Sequence, residues 1–117
     1  MIKTDFEKTN PPGTKYPYLR TPGAYWCAKW QKDRNGVYCM YYAFQGKCVY
    51  EKRIPLNEIH AAKKHLLEHK KFNHKIFCEQ CKTVAKNGEC GFAVIGRMLE
   101  NSCNAEYNGS KGFVLRE

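Results

Sequence analysis

Three Asn-Gly pairs punctuate the chain, Asn35-Gly36, Asn87-Gly88 and Asn108-Gly109, each between segments of β-forming composition. Such a pair adopts positive φ at low cost, the geometry of a tight hairpin turn, and is the strongest short-range hairpin signal a sequence carries. The flanks of the first pair agree: residues 24–31 and 37–44 (VYCMYYAF) make a hairpin. Residues 47–53 (KCVYEKR), after the weaker Gln45-Gly46 turn, add a third strand. The 37–44 segment is apolar on both faces, which predicts a central strand covered on each side. Residues 75–86, 89–98 (ECGFAVIGRM), 102–107 and 111–116 then read as further strands joined by the two remaining Asn-Gly turns.

One helix interrupts this β pattern. Asn57 is placed to cap it, with Glu58 in the first turn where the helix dipole favours a carboxylate. Ile59, Ala62 and Leu66 recur on one face, with Leu67 at its margin, and the last turn is rich in Lys and His. The expected fold is therefore α+β: an antiparallel β-sheet of five to seven strands with one amphipathic α-helix, residues 57–71, packed on it. Residues 1–23 hold Pro11, Pro12, Pro17 and Pro22 with Gly13 and Gly23. They read as an extended arm, ordered where Tyr16, Tyr18 and Leu19 lie on the body. Residues 24–117 form the single domain.

Seven cysteines in 117 residues, Cys27, Cys39, Cys48, Cys78, Cys81, Cys90 and Cys103, must be given a role. Across ideal two-residue turns Cys39 falls opposite Lys32, Cys90 opposite Ala85 and Cys103 opposite Val114. No cysteine faces another locally, so any disulfides join separate elements and close long loops. Each would stabilise by about 3–4 kcal/mol through restriction of the unfolded chain. Their connectivity stays open, and an odd number leaves one thiol unpaired or paired between molecules. The competing reading is zinc: Cys78-Glu-Gln-Cys81 is a C-x2-C pair, with Cys90 as a third ligand and His74 or Cys103 to complete four. That set leaves Cys27, Cys39 and Cys48 without a role. The disulfide-braced reading, which needs no cofactor, is the one adopted.

Charge narrows the function. Twenty Lys and Arg against eleven Asp and Glu give a formal charge of +9. Lys63, Lys64, Lys70, Lys71 and Lys75, opposed by Glu68, concentrate it at the helix and its exit. Such a face suits phosphate or another acidic surface. The β segments supply aromatic rings, Tyr25, Trp26, Trp30, Tyr38, Tyr41, Tyr42, Phe44 and Tyr50, that would stack bases if exposed. The plainer alternative makes those rings core and the lysines solubilising. His65-x-x-Glu68-His69 matches the pattern of inverted zinc proteases, but a solvated helix face carries it equally well. His60, His65, Glu58 and Lys64 are the residue types a small ribonuclease uses, yet all stand on one helix. No nucleophile elbow, P-loop or dinucleotide fingerprint is present. At 43% hydrophobic the chain is too apolar for disorder, and no apolar run approaches the length of a membrane span, so no membrane insertion is expected. The segment MIKTDFEKTN lacks an apolar signal region. A secreted chain would thus be read in its mature form, and the Asn108-Gly109-Ser110 sequon is consistent with secretion.

Tyr25-Trp26-Cys27, Gly46-Lys47-Cys48, Ile54-Pro55, Ile59 and Ala61-Ala62 stand where the ribonuclease-like secreted effectors of plant-pathogenic fungi carry an aromatic-x-Cys, a strand and a helix. The segments around residues 92–95 and 113–115 match their last strands in spacing. Over residues 25–117 the chain resembles that family, which has the guanyl-ribonuclease fold, through architecture more than motif. Other small cysteine-rich avirulence scaffolds fit as well. The chain departs from the family in an extra hairpin and in its cysteine count, while the absence of a Tyr-Pro-His type catalytic segment fits the family's non-catalytic members. The resemblance implies a secreted virulence or avirulence protein, delivered into a host cell and non-catalytic. Its expected partner is a host protein, such as an immune receptor or its target, or RNA. The expected working surface is Lys63, Lys64, Lys70 and Lys71 with neighbouring aromatics. The alternatives are a zinc-stabilised nucleic-acid-binding module, built on His74, Cys78, Cys81 and Cys90, and a small secreted ribonuclease.

Overall fold

The computed structural model describes residues 5–43, 51–88 and 90–116. A short helix α1 (Asp5–Thr9) leads into strands β1 (Lys15–Pro17), β2 (Ala24–Lys32), β3 (Tyr38–Ala43) and β4 (Glu51–Pro55), which form one antiparallel sheet in that order. The first Asn-Gly pair closes the expected β2–β3 hairpin, but with a three-residue loop. The Asp33 N–H donates to the Val37 carbonyl at 2.9 Å, and Gly36, at φ 81°, takes the left-handed position. Asp33 Oδ1 accepts from the N–H groups of Asn35 and Val37, which favours this turn over the two-residue one. The longer loop moves the register by one, so Cys39 faces Gln31 rather than Lys32. β3, apolar on both faces, lies between β2 and β4, with Cys39, Met40, Tyr42 and Ala43 buried. Phe44, Cys48, Tyr50 and the Gln45-Gly46 turn lie outside the described residues.

The chain turns from β4 straight into α2 (Leu56–His69). Pro55, extended and with no side-chain cap, takes the N-cap place expected of Asn57. Ile59, Ala62 and Leu66 are fully buried as the periodicity requires. The helix ends at Lys70, whose left-handed backbone (φ 66°) sends its N–H to the Leu66 carbonyl. Lys71 therefore leaves the helix and begins strand β5 (Lys71–Phe72).

The region beyond β5 departs from expectation. The two strands predicted over 75–86 and 89–98 are three helices, α3 (His74–Gln80), α4 (Lys82–Lys86) and α5 (Cys90–Ser102). In α5 every residue from Gly91 to Leu99 except Arg97 is buried, so the segment is apolar on all sides. A short run apolar on every side reads alike for a buried strand and a buried helix. Its glycines are packing notches: a Cβ at Gly91 would overlap Val84, and one at Gly96 would overlap the Phe113 ring. Asn87-Gly88 links α4 to α5 and makes no hairpin. Asn73 caps α3, its Oδ1 accepting from the Ile76 N–H at 2.9 Å.

The last Asn-Gly pair does sit between paired strands, β6 (Ala105–Tyr107) and β7 (Phe113–Leu115), joined through a 3-10 turn at Gly109–Lys111. β7 is the centre of a small antiparallel sheet ordered β5-β7-β6. Glu106, not Cys103, faces Val114, and Cys103 follows α5 outside any strand. The class is thus α+β with antiparallel sheets, but its described residues hold a four-stranded and a three-stranded sheet and five α-helices rather than one. Phe92 stands in an aromatic cluster of the core, with the Phe72, Phe77 and Phe113 rings 5.5–5.7 Å from its own.

The expected disulfide bracing is not seen among these residues: Cys27, Cys39, Cys78, Cys81, Cys90 and Cys103 are all free thiols. Burial of aromatic and aliphatic side chains, at about 25 cal/mol per Å2, supplies the cohesion instead.

Candidate functional site

The principal cavity among the described residues is an open cleft of about 660 Å3 between four separate stretches of chain. Tyr18–Thr21 form one wall with Tyr25 of β2; Asn73 and His74, at the start of α3, form a second. Cys90, Phe92 and Ala93 on the first turn of α5 make the floor, and Tyr107 with the β6–β7 loop closes the far side. That loop approaches β5 closely. A Cβ on Gly112 (φ 78°) would stand 2.7 Å from the Phe72 carbonyl oxygen, so only glycine fits.

Four rings line the cleft: Tyr18, Tyr25, Phe92 and Tyr107. Tyr18 and Tyr25 meet edge to face at 4.6 Å, and Tyr25 meets Tyr42 in the same way at 5.7 Å. Burial, and then the neighbouring Cys90 and Tyr18, push the Tyr25 hydroxyl pKa up, keeping it a neutral donor. Arg20 stands exposed on the wall, and the exposed His74 ring rests 5.8 Å from both Phe77 and Phe92. Exposed Lys75 and Lys111 adjoin lining residues along the chain. The cleft thus combines apolar ring faces with a cationic margin. Cys90 Sγ, half-buried in the floor, lies 3.0 Å from the Tyr42 hydroxyl and accepts from the Lys52 ammonium at 3.4 Å.

The four lysines expected to share one helix face are divided. Lys64 is exposed on α2, whereas Lys63 is half-buried with its ammonium 5.4 Å from the Phe6 ring centre. Lys70 is the exposed left-handed cap, and Lys71 lies in β5 opposite Val114. Exposed beside Lys64 on α2 is Leu67, 46% accessible. His65 and His69 stack at 4.4 Å, and burial followed by the neighbouring His69 lowers the His65 pKa. Of the ribonuclease-type residues, His60 packs edge-on to Phe6, while Glu58 turns inward and accepts from the Val84 N–H at 3.2 Å. The structure does not gather them around a common point.

Nor does it gather the zinc candidates. Cys78 Sγ is exposed, 3.8 Å from His74 Nδ1. Cys81 is fully buried with its thiol directed at the Glu58 carbonyl, and Cys90 is held by Tyr42 and Lys52. Among the described residues no three His, Cys, Asp or Glu side chains form a metal-binding group. Burial dominates the other thiols: it pushes Cys27 up to about 11 and Cys81 up to about 12, and it raises Cys39 and Cys103.

Sequence reasoning singled out Tyr25 as an aromatic and joined His74 with Cys90 only as zinc candidates; it did not place the three at one cleft. Tyr18, Arg20, Phe92 and Tyr107 carry no local signal of a site, since the stretches that meet here are far apart along the chain. The segment around residues 92–95, taken as a strand in the family resemblance, is part of α5, while residues 113–115 are strand β7. No family, curated protein or solved structure compared with the chain matches it.

Proposed function

We propose that this is a secreted effector that acts inside a host cell by binding a host macromolecule, without catalysing a reaction, and that single-stranded RNA is the class of partner its surface suits best. One observation carries the reading: a cleft of about 660 Å3 in a chain of charge +9, with four aromatic rings in its walls and Arg20 and His74 at its margin. Bases stack on such rings regardless of sequence, and cations neutralise the phosphates that follow. The six described cysteines, all free thiols, also suit the reducing interior of a host cell, where an effector would work after delivery.

Fluorescence anisotropy with a labelled single-stranded RNA tests the proposal. Affinity should fall linearly on a log–log plot as salt rises, with a slope of about −0.7 for each phosphate neutralised. Tyr107→Ala should weaken binding by about tenfold, the low end of what one stacked base contributes. Arg20→Glu should weaken binding and flatten the salt dependence. An absence of binding at low salt, with the protein folded, would overturn RNA as the partner and leave a host protein, such as an immune receptor or its target, as the macromolecule to be sought.

A further inference from the structure

We infer that the cleft prefers single strands rich in uracil and guanine, and that the Asn73 amide is the group that reads their keto oxygens. The inference rests on RNA as the partner of the cleft. Asn73 lines the cleft and is half-buried there. As the cap of α3 it directs its Oδ1 to the Ile76 N–H at 2.9 Å, so the acceptor of this side chain is spent on the fold. That bond settles which way the amide is turned and leaves the Nδ2 donors on the opposite side. Among the described residues no acceptor takes them, and they are not sealed in the core. The residue is also held in place from the β6–β7 loop. Gly112 packs so closely that a Cβ on it would stand 2.8 Å from the Asn73 Cα and 3.2 Å from its Cβ. Asn73 therefore presents a fixed pair of donors with no free acceptor beside them.

The other fixed groups at this rim agree. The Asn73 carbonyl accepts from the Phe77 N–H at 2.9 Å. In the β6–β7 loop the carbonyls of Asn108, Gly109 and Gly112 accept from the N–H groups of Lys111, Gly112 and Asn108 at 2.6–3.0 Å. Arg20, on another wall, carries N–H donors and no acceptor. The Ser110 and Tyr25 hydroxyls donate or accept as a ligand requires, and so discriminate little. A base stacked on the rings of the cleft presents its edge to this donor-rich rim. The keto oxygens of uracil and guanine accept there. The amino groups of cytosine and adenine instead set donor against donor and leave both unpaired. Preference comes from that mismatch as much as from the bond itself.

Fluorescence anisotropy with the full-length protein tests the inference on two pairs of ligands. One pair is a short oligouridylate and the matching oligocytidylate; the other is a mixed strand carrying inosine or adenosine at the same places. Uridylate should bind about three- to tenfold more tightly than cytidylate, the net effect of one hydrogen bond, and inosine should gain over adenosine by a similar factor. Both ratios should hold as salt rises, because the strands of each pair carry the same phosphates. Asn73→Asp keeps an oxygen to cap α3 and turns the free donor into an acceptor. Its added charge should weaken every strand, but the ratio of uridylate to cytidylate affinity should invert. Asn73→Ser, which keeps a capping oxygen and removes the amide, should bring that ratio close to one. Equal affinities for uridylate and cytidylate in the unaltered protein would overturn the preference. A ratio that survives both substitutions would overturn Asn73 as its source. No binding of any strand at low salt is a separate result, since it overturns RNA as the partner.

Discussion

Glu58 shows how a single polar group can be held in an apolar interior. It is 7% exposed, and its Oε1 accepts the Val84 N–H that opens toward it from α4. Glu58→Ala should cost about 1–3 kcal/mol by leaving that buried donor unpaired, and Glu58→Gln, which keeps an acceptor, should cost less. Urea unfolding of the two variants checks the difference. His65 contributes in another way. Its pKa lies below the ordinary 6.5 in the fold, chiefly through burial, so the unfolded chain binds its proton first. Stability should therefore be greatest above that value and should fall as the pH drops through it. Melting temperatures from about pH 8 to about pH 5 will show the decline, and His65→Asn should flatten it. The buried thiols act at the other end of the scale. Cys27 at about 11 and Cys81 at about 12 stay protonated in the fold, while an unfolded chain ionises them near 9.0. Stability should fall as the pH rises above 9.0, an alkaline loss that equilibrium unfolding will detect.

At the scale of elements, α5 decides the architecture. Its two notches let α4 and the β7 ring come against the helix backbone, and Gly96→Ala would drive a methyl group into Phe113. The expected loss is about 3 kcal/mol, the upper end of ordinary overpacking. A lower urea midpoint with the helical circular-dichroism signal retained is the expected result. Asn73→Ala removes the cap of α3 and should cost about 1 kcal/mol. It should also loosen His74 at the cleft margin. The same elements show why only part of the fold could be read from residues alone. The β2–β3 hairpin and the buried face of α2 were legible, because local turn chemistry and a 3.6-residue period fix them. Asp33 moved the hairpin register by one through its own side-chain hydrogen bonds. α5 was not legible, because burial on every side erases the period that would distinguish helix from strand. Asn87-Gly88 followed that error: positive φ ends a helix as readily as it turns a hairpin, and Gly88 (φ 117°) does the former.

For the whole molecule, the radius of gyration of 13.3 Å is that of a compact chain of this length. With the six described cysteines free, reductant should leave the melting temperature unchanged. A clear drop on reduction would show that bridges, and not the aromatic core, carry the stability. The candidate site belongs wholly to this scale. Its walls come from the N-terminal stretch, β2, the start of α3, the start of α5 and the β6–β7 loop, and none of these is a motif alone. The sequence by itself determined the α+β class, the first hairpin, the inward face of α2 and a charge of +9. These depend on interactions between near neighbours in the chain, or on sums over it. Which segments around the buried core became helices, how the lysines divided between α2, its cap and β5, and that Tyr18, Arg20, His74, Cys90 and Tyr107 share one cleft were decided by tertiary structure. Those outcomes depend on which distant surfaces exclude water together, and side-chain periodicity within one segment carries no record of that choice.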